Sequence, residues 1–188
     1  MFRIIGKRKV KEYIEHDLIE HNKIEKRLYQ VNIYGEVKDK NSLVVLPTGL
    51  GKTIIAIMVL AYKLSLGKKV LFLAPTKPLC EQHASSVKNL TILSDDDVAV
   101  VTGETYTPRK RKEIYKKARV IVATPQTIEN DVDNQLSLND YGLIIFDEVH
   151  RTVGDYAYVK IIESYRSISG SQVLGLTASP GSDFEKLK

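Results

Sequence analysis

A three-layer α/β domain with a mostly parallel central sheet is the fold class this sequence predicts. Apolar runs alternate with amphipathic stretches along the chain, the signature of successive βα units. Several runs, Val70–Ala74 and Leu143–Phe146 among them, are apolar at every position, as strands covered on both faces are. The residues with the most chemical character follow directly on such runs, and open α/β sheets gather ligands beyond the carboxyl ends of their strands.

Taken in order, the strands are expected at Ser42–Leu46, Lys69–Ala74, Asp97–Thr102, Arg119–Ala123, Leu143–Asp147 and Gln172–Thr177. Helices are expected near Lys52–Ser65, Pro78–Val87, Arg109–Lys116 and Tyr156–Tyr165, with shorter turns elsewhere. The beginning reads differently. Val10–Asn22 is charged and helix-like, with Tyr13, Ile14, Asp17, Leu18 and His21 at helical spacing. Residues 1–26 are therefore expected to be an appendage leading into a domain that occupies residues 27–188.

The chain has 188 residues, 43% hydrophobic and 27% charged, which suits one large soluble domain with a proper core. No apolar run approaches the roughly 18 residues of a membrane span, and the apolar stretch near Met1 is too short for a secretory signal. Cys80 is the only cysteine, which excludes an internal disulfide framework and a cysteine-based metal cluster. The expectation is a reducing, cytoplasmic setting with no membrane partner. Net charge is +5, compatible with a polyanionic partner but informative only beside the motifs.

Leu43–Leu46 feeds into Pro47-Thr48-Gly49-Leu50-Gly51-Lys52-Thr53 and then into the helical Ile54–Met58. A strand, a glycine-bearing loop and a helix start are what a phosphate-binding loop requires. Gly49 and Gly51 let the backbone curl until its N–H groups face an anion, and the helix adds its positive end. Lys52 would reach the β- and γ-phosphates of ATP, and the Thr53 hydroxyl would ligate Mg²⁺. Leu46 stands where the strict pattern has its first glycine.

A second constellation, Asp147-Glu148-Val149-His150, ends the run Leu143–Phe146. An acidic pair at the tip of a buried strand is costly without a nearby positive charge, which Mg²⁺·ATP would supply. Asp147 would hold the metal and Glu148 would orient and deprotonate the attacking water. A helix N-cap would also use Asp and Glu here; the upstream loop favours the catalytic reading. No second His or Cys stands at zinc-ligand spacing from His150.

These residues resemble superfamily 2 helicases. Pro47–Thr53 is similar to motif I, Asp147–His150 to a DExH-type motif II, Leu176-Thr177-Ala178-Ser179-Pro180-Gly181 to motif III, and Ala74–His83 to motif Ia. The resemblance covers nearly all of the chain from about Arg27 onward, and within the superfamily the archaeal Hef and Fanconi anaemia group M (FANCM) helicases resemble it most. It implies a RecA-like first domain, with ATP held by Pro47, Thr48, Gly49, Leu50, Gly51, Lys52, Thr53 and His150. It also implies that Arg27-Leu28-Tyr29-Gln30 is the adenine-reading element, with Arg27 and Gln30 in the nucleotide site. Thr177, Ala178 and Ser179 would couple nucleotide state to strand grip. The implied role is a translocase on forked or branched DNA in replication-fork repair, nucleoid-associated in an archaeal-type cytoplasm.

By the same likeness Thr76, Lys77 and Gln82, with Thr102-Gly103 and Thr124-Pro125, would track a nucleic-acid backbone. The tyrosines are scattered, so backbone contact without sequence reading is expected. The basic run Arg109-Lys110-Arg111-Lys112 is either a solvated helix face or an added grip on duplex DNA. The family's second RecA-like domain, with its arginine fingers, has no counterpart in these residues. They are accordingly expected to bind ATP weakly and hydrolyse it barely on their own. Two rivals stay open, an RNA-directed DExH helicase and a non-catalytic clamp.

Overall fold

A computed structural model describes residues 11–132, 134–149 and 156–178. Six strands, β1 (Ser42–Val45), β2 (Lys69–Leu73), β3 (Val98–Val101), β4 (Val120–Ala123), β5 (Tyr141–Phe146) and β6 (Val173–Thr177), form one sheet in the order β1-β6-β5-β2-β4-β3. Every pairing is parallel. The helices are α1 (Leu28–Val37), α2 (Lys52–Ser65), α3 (Lys77–Leu90), α4 (Pro108–Lys117), α5 (Pro125–Asp131) and α6 (Tyr156–Arg166).

The period-two alternation of the strands sorts their side chains into two cores. Val70 and Phe72 of β2 pack with Ile55, Ile57 and Leu60 of α2 and with Ala84 and Val87 of α3. Leu71 and Leu73 pack instead with Tyr115 of α4, Ile128 of α5 and Ile161 and Tyr165 of α6. Helix α2 is buried without a break from Ile55 to Ala61, because sheet, α1 and α3 surround it, and it stops where Gly67 adopts a φ of +74°. The last carbonyls of α4 are held by Lys69, whose Nζ donates to Tyr115 O at 2.8 Å and Lys116 O at 2.7 Å.

All six expected strands form, and α2 has the expected bounds. The helix expected over Val10–Asn22 does not form in its described part. Residues 11–26 are instead irregular chain folded back through turns, with bridges from Tyr13 to Glu25 and from Ile19 to Thr91. Ile19 and Ile24 are buried in the core beside α2 and α3, and Ile14 and Leu18 pack on its rim. The apolar spacing there answers to docking on the domain, which can be met by a folded-back loop as well as by a helix. Among the described residues no helix is long and apolar enough to cross a membrane.

Candidate nucleotide and nucleic-acid site

Residues 46–51 turn between β1 and α2. Gly49 and Gly51 take φ values of +83° and +78°, a left-handed region that other residues enter at a cost of about 1–2 kcal/mol. Leu46 has no positive φ, so nothing in the turn requires a glycine there. Both of its backbone groups are used: its N–H donates to Thr177 O at 3.1 Å and its carbonyl accepts from Lys52 Nζ at 2.9 Å. Pro47, Thr48, Gly49 and Leu50 are exposed, while Gly51, Lys52 and Thr53 are half-buried. No acidic residue occupies the first turn of α2, so its positive end stands uncancelled by its own side chains.

Gln30 on α1 is buried and props this loop from behind. Its Nε2 donates to Leu50 O at 3.3 Å, and the neighbouring Tyr29 hydroxyl donates to the same carbonyl at 2.9 Å. Arg27 is exposed, its Nη1 reaching the Tyr29 hydroxyl at 3.5 Å. Of the two residues expected at the adenine, Gln30 thus stands against the loop itself, and Arg27 is linked to it only through Tyr29.

Asp147 continues β5, its N–H donating to Leu73 O at 2.9 Å. It is only 6% exposed, a costly place for an anion unless a donor meets it. That donor is His83 of α3, whose Nε2 lies 2.7 Å from Asp147 Oδ2 and whose ring stacks on Phe72 with centroids 4.4 Å apart. The next residue, Glu148, is half-buried with φ +54°, a left-handed conformation that costs a non-glycine residue of order 1 kcal/mol. His150 and Ser179 lie outside the described residues.

The two constellations share one edge of the sheet. Val45 pairs with Thr177 and Phe146 with Gly175, so the loops after β1 and β5 leave on either side of the end of β6. Two strand spacings separate β1 from β5, about 10 Å. Thr177, buried, and Ala178, half-buried, lie between them.

On the other half of the same edge, the residues after β2, β3 and β4 meet in a row. Lys77 Nζ lies 3.3 Å from Glu104 Oε2, linking the start of α3 to the loop after β3. A Cβ at Gly103 would lie 4.0 Å from Thr127 Oγ1, and that hydroxyl is 2.8 Å from Thr124 Oγ1. Thr76, Gln82 and Gly103 are exposed, and Lys77 and Thr124 half-buried. The side chains of Thr102 and Pro125 face inward instead. Thr102 turns the chain, its N–H donating to Thr105 Oγ1 at 2.8 Å and its carbonyl accepting from that hydroxyl at 2.9 Å.

The basic run on α4 is divided. Arg109, Lys110 and Lys112 are exposed, but Arg111 is not available to a ligand. Its guanidinium grips the buried Asp131 of α5 through Nε at 2.6 Å and Nη2 at 2.9 Å, and Tyr115 adds its hydroxyl at 2.6 Å. As a member of the DNA grip Arg111 is therefore replaced by a structural role, with a partner 20 residues away.

The contact of His83 with Asp147 is the feature of this edge that the sequence reading missed. The signal was present: Cys80, Ala84 and Val87 mark the buried face of α3, and a histidine three residues after Cys80 falls on that face.

The chain matches the family model described as "Type III restriction enzyme, res subunit" over residues 8–182. A Methanocaldococcus jannaschii protein named for an ATP-dependent RNA helicase, MJ1505, is 44% identical over 177 residues, or 93% of this chain and 22% of its own length. The ATP-dependent DNA helicase mph1 of Neurospora crassa is 39% identical over 163 residues, 85% of this chain and 14% of its own. The solved Hef helicase domain of Pyrococcus furiosus superposes with a TM-score of 0.81 at 52% identity, covering 86% of this chain and 34% of that one. The chain therefore spans about a fifth of the length of the first of these curated relatives and less of the second. With a RecA-like sheet bearing the glycine turn of residues 46–51 and the Asp147-Glu148 pair on one edge, the chain belongs to the family of the Type III restriction enzyme res subunit, as a superfamily 2 helicase domain related to Hef and Mph1.

Proposed function

We propose that this domain is the ATP-binding half of an ATP-dependent DNA helicase or translocase acting on forked or branched DNA, in concert with a second RecA-like domain of the same protein. One observation carries the reading. The carboxyl edge of the sheet is divided into a half over β1, β6 and β5 bearing Lys52, Thr177 and Asp147, and a half over β2, β4 and β3 bearing Lys77, Thr124 and Gly103. A motor needs both a nucleotide cleft and a backbone track on one rigid body.

The donor set suits Mg²⁺·ATP. Two left-handed glycines open the loop's amides, a cation starts α2, and a buried carboxylate faces them across one intervening strand. When bound, Mg²⁺·ATP supplies the bond to be broken and a divalent charge that offsets the phosphates. Lys52 would bind the terminal phosphates, Thr53 and Asp147 would hold the metal ion, and Glu148 would orient water and accept its proton. Thr76, Lys77, Gln82, Gly103 and Thr124 hold a strand by its phosphates, without reading bases.

The name of the Methanocaldococcus relative favours a second reading, an RNA-directed helicase. Steady-state ATPase of the full-length protein, with forked DNA or duplex RNA added, separates the two. Stimulation by forked DNA is expected; stimulation by duplex RNA alone would transfer the proposal to RNA.

A further inference from the structure

We propose that His83 is a positioning residue for the Asp147 carboxylate, and that through it helix α3 sets the aim of the acid end of the nucleotide cleft. The inference rests on reading Asp147 as the metal-side carboxylate.

The bond joins two buried side chains 64 residues apart, at 2.7 Å. A carboxylate can only accept, so Nε2 carries the proton and donates it to Oδ2, leaving Oδ1 outside that bond. The ring cannot easily swing away, because it stacks on Phe72 of β2 with 23° between planes. The opposite ring atom, Nδ1, is buried and meets no hydrogen-bond partner among the described residues. Leaving a buried polar atom unsatisfied costs about 1–3 kcal/mol. A phenylalanine or leucine would fill the space without that cost, so packing alone does not account for an imidazole here. What the imidazole adds is the donor on Asp147.

The bond also crosses the line between the two halves of the sheet edge. Asp147 follows β5, the last strand of the nucleotide half, while α3 follows β2, the first strand of the other. Thr76 and Lys77 stand at the start of α3 and Gln82 precedes His83. A displacement of α3 on a nucleic-acid backbone moves the donor, and with it the carboxylate. Partners of this kind, which orient a metal-binding group, change metal affinity or activity by about 10–100-fold when removed.

The test uses the full-length protein and a fluorescent ADP, titrated with and without Mg²⁺; the readout is the gain in affinity that Mg²⁺ provides. His83→Phe keeps a ring on Phe72 and removes the donor, whereas His83→Gln restores an N–H at comparable reach. H83F is expected to lower the Mg²⁺ gain about tenfold while leaving metal-free affinity in place, and H83Q to recover most of it. The stimulation of ATPase by forked DNA should fall in H83F by a larger factor than the unstimulated rate. A native Mg²⁺ gain in H83F, or equal losses in H83F and H83Q with native melting, would overturn the proposal. If H83F does not fold, His83→Met supplies the donor-free arm. Asp147→Asn is run alongside: an undiminished Mg²⁺ gain there would sink the reading of Asp147 itself, a different failure from that of His83.

Discussion

Gly51 lies directly against the amide nitrogen of Gln30, so that a methyl group added at Gly51 would occupy the space the amide fills. Gly49, two residues earlier and equally left-handed, has open space around the same point. The pair offers a controlled comparison.

Both Gly49→Ala and Gly51→Ala should incur the left-handed penalty of about 1–2 kcal/mol. Gly51→Ala should cost more, because Gln30 must leave its hydrogen bond to Leu50, worth about 1 kcal/mol, and vacate a buried position. The excess should disappear in a Gln30→Ala background, which a double-mutant cycle by urea denaturation measures. Equal costs at the two glycines would show that Gln30 does not support the loop.

Helix α4 predicts a second contrast. Arg111→Ala leaves Asp131 buried, 1% exposed and without its cation, and should cost about 3–5 kcal/mol. Charge reversal at the exposed Arg109 and Lys112 should change stability by no more than about 0.5 kcal/mol. If those two residues grip duplex DNA, the same reversals should weaken fork binding and flatten its salt dependence. Denaturation curves and binding isotherms at several salt concentrations check both halves.

High pH should destabilise the domain through its buried cysteine and buried tyrosines. Burial pushes the Cys80 thiol and the Tyr165 phenol each up to about 12. Burial also pushes Tyr115 and Tyr141 well above the usual phenol range, the first with help from Asp131. Their charged forms are favoured in the unfolded chain, where a cysteine loses its proton near 8.5 and a tyrosine near 10. Above about pH 9 the unfolded state therefore binds fewer protons than the native one, and stability should fall as pH rises. Urea midpoints from pH 7 to 11 should decline from that point, and Cys80→Ala should move the onset upward. A flat profile would mean these side chains ionise freely in the native fold.

The parts legible in the sequence were those whose causes are local. β5 announces itself because each of its residues is covered on both faces, and the loop of residues 46–51 because its two glycines serve one turn. Strand order was not legible: that β6 inserts between β1 and β5 depends on pairings more than a hundred residues apart in sequence for β1. Arg111 looked like a surface cation until Asp131 came to meet it, and His83 like one more residue of a helical motif until Asp147 did. The segment before α1 misled for the related reason that Ile19 answers to Thr91 and not to its neighbours in sequence.

In the proposed function Lys52 stands at the phosphate end of a nucleotide cleft whose acid end is Asp147. Forked-DNA-stimulated ATPase of the full-length protein, measured for native and Lys52→Ala forms with matched melting curves, tests this most directly. Removing a preorganised charge at such a site should lower turnover at least about a hundredfold. Turnover within a few fold of native would contradict the assignment.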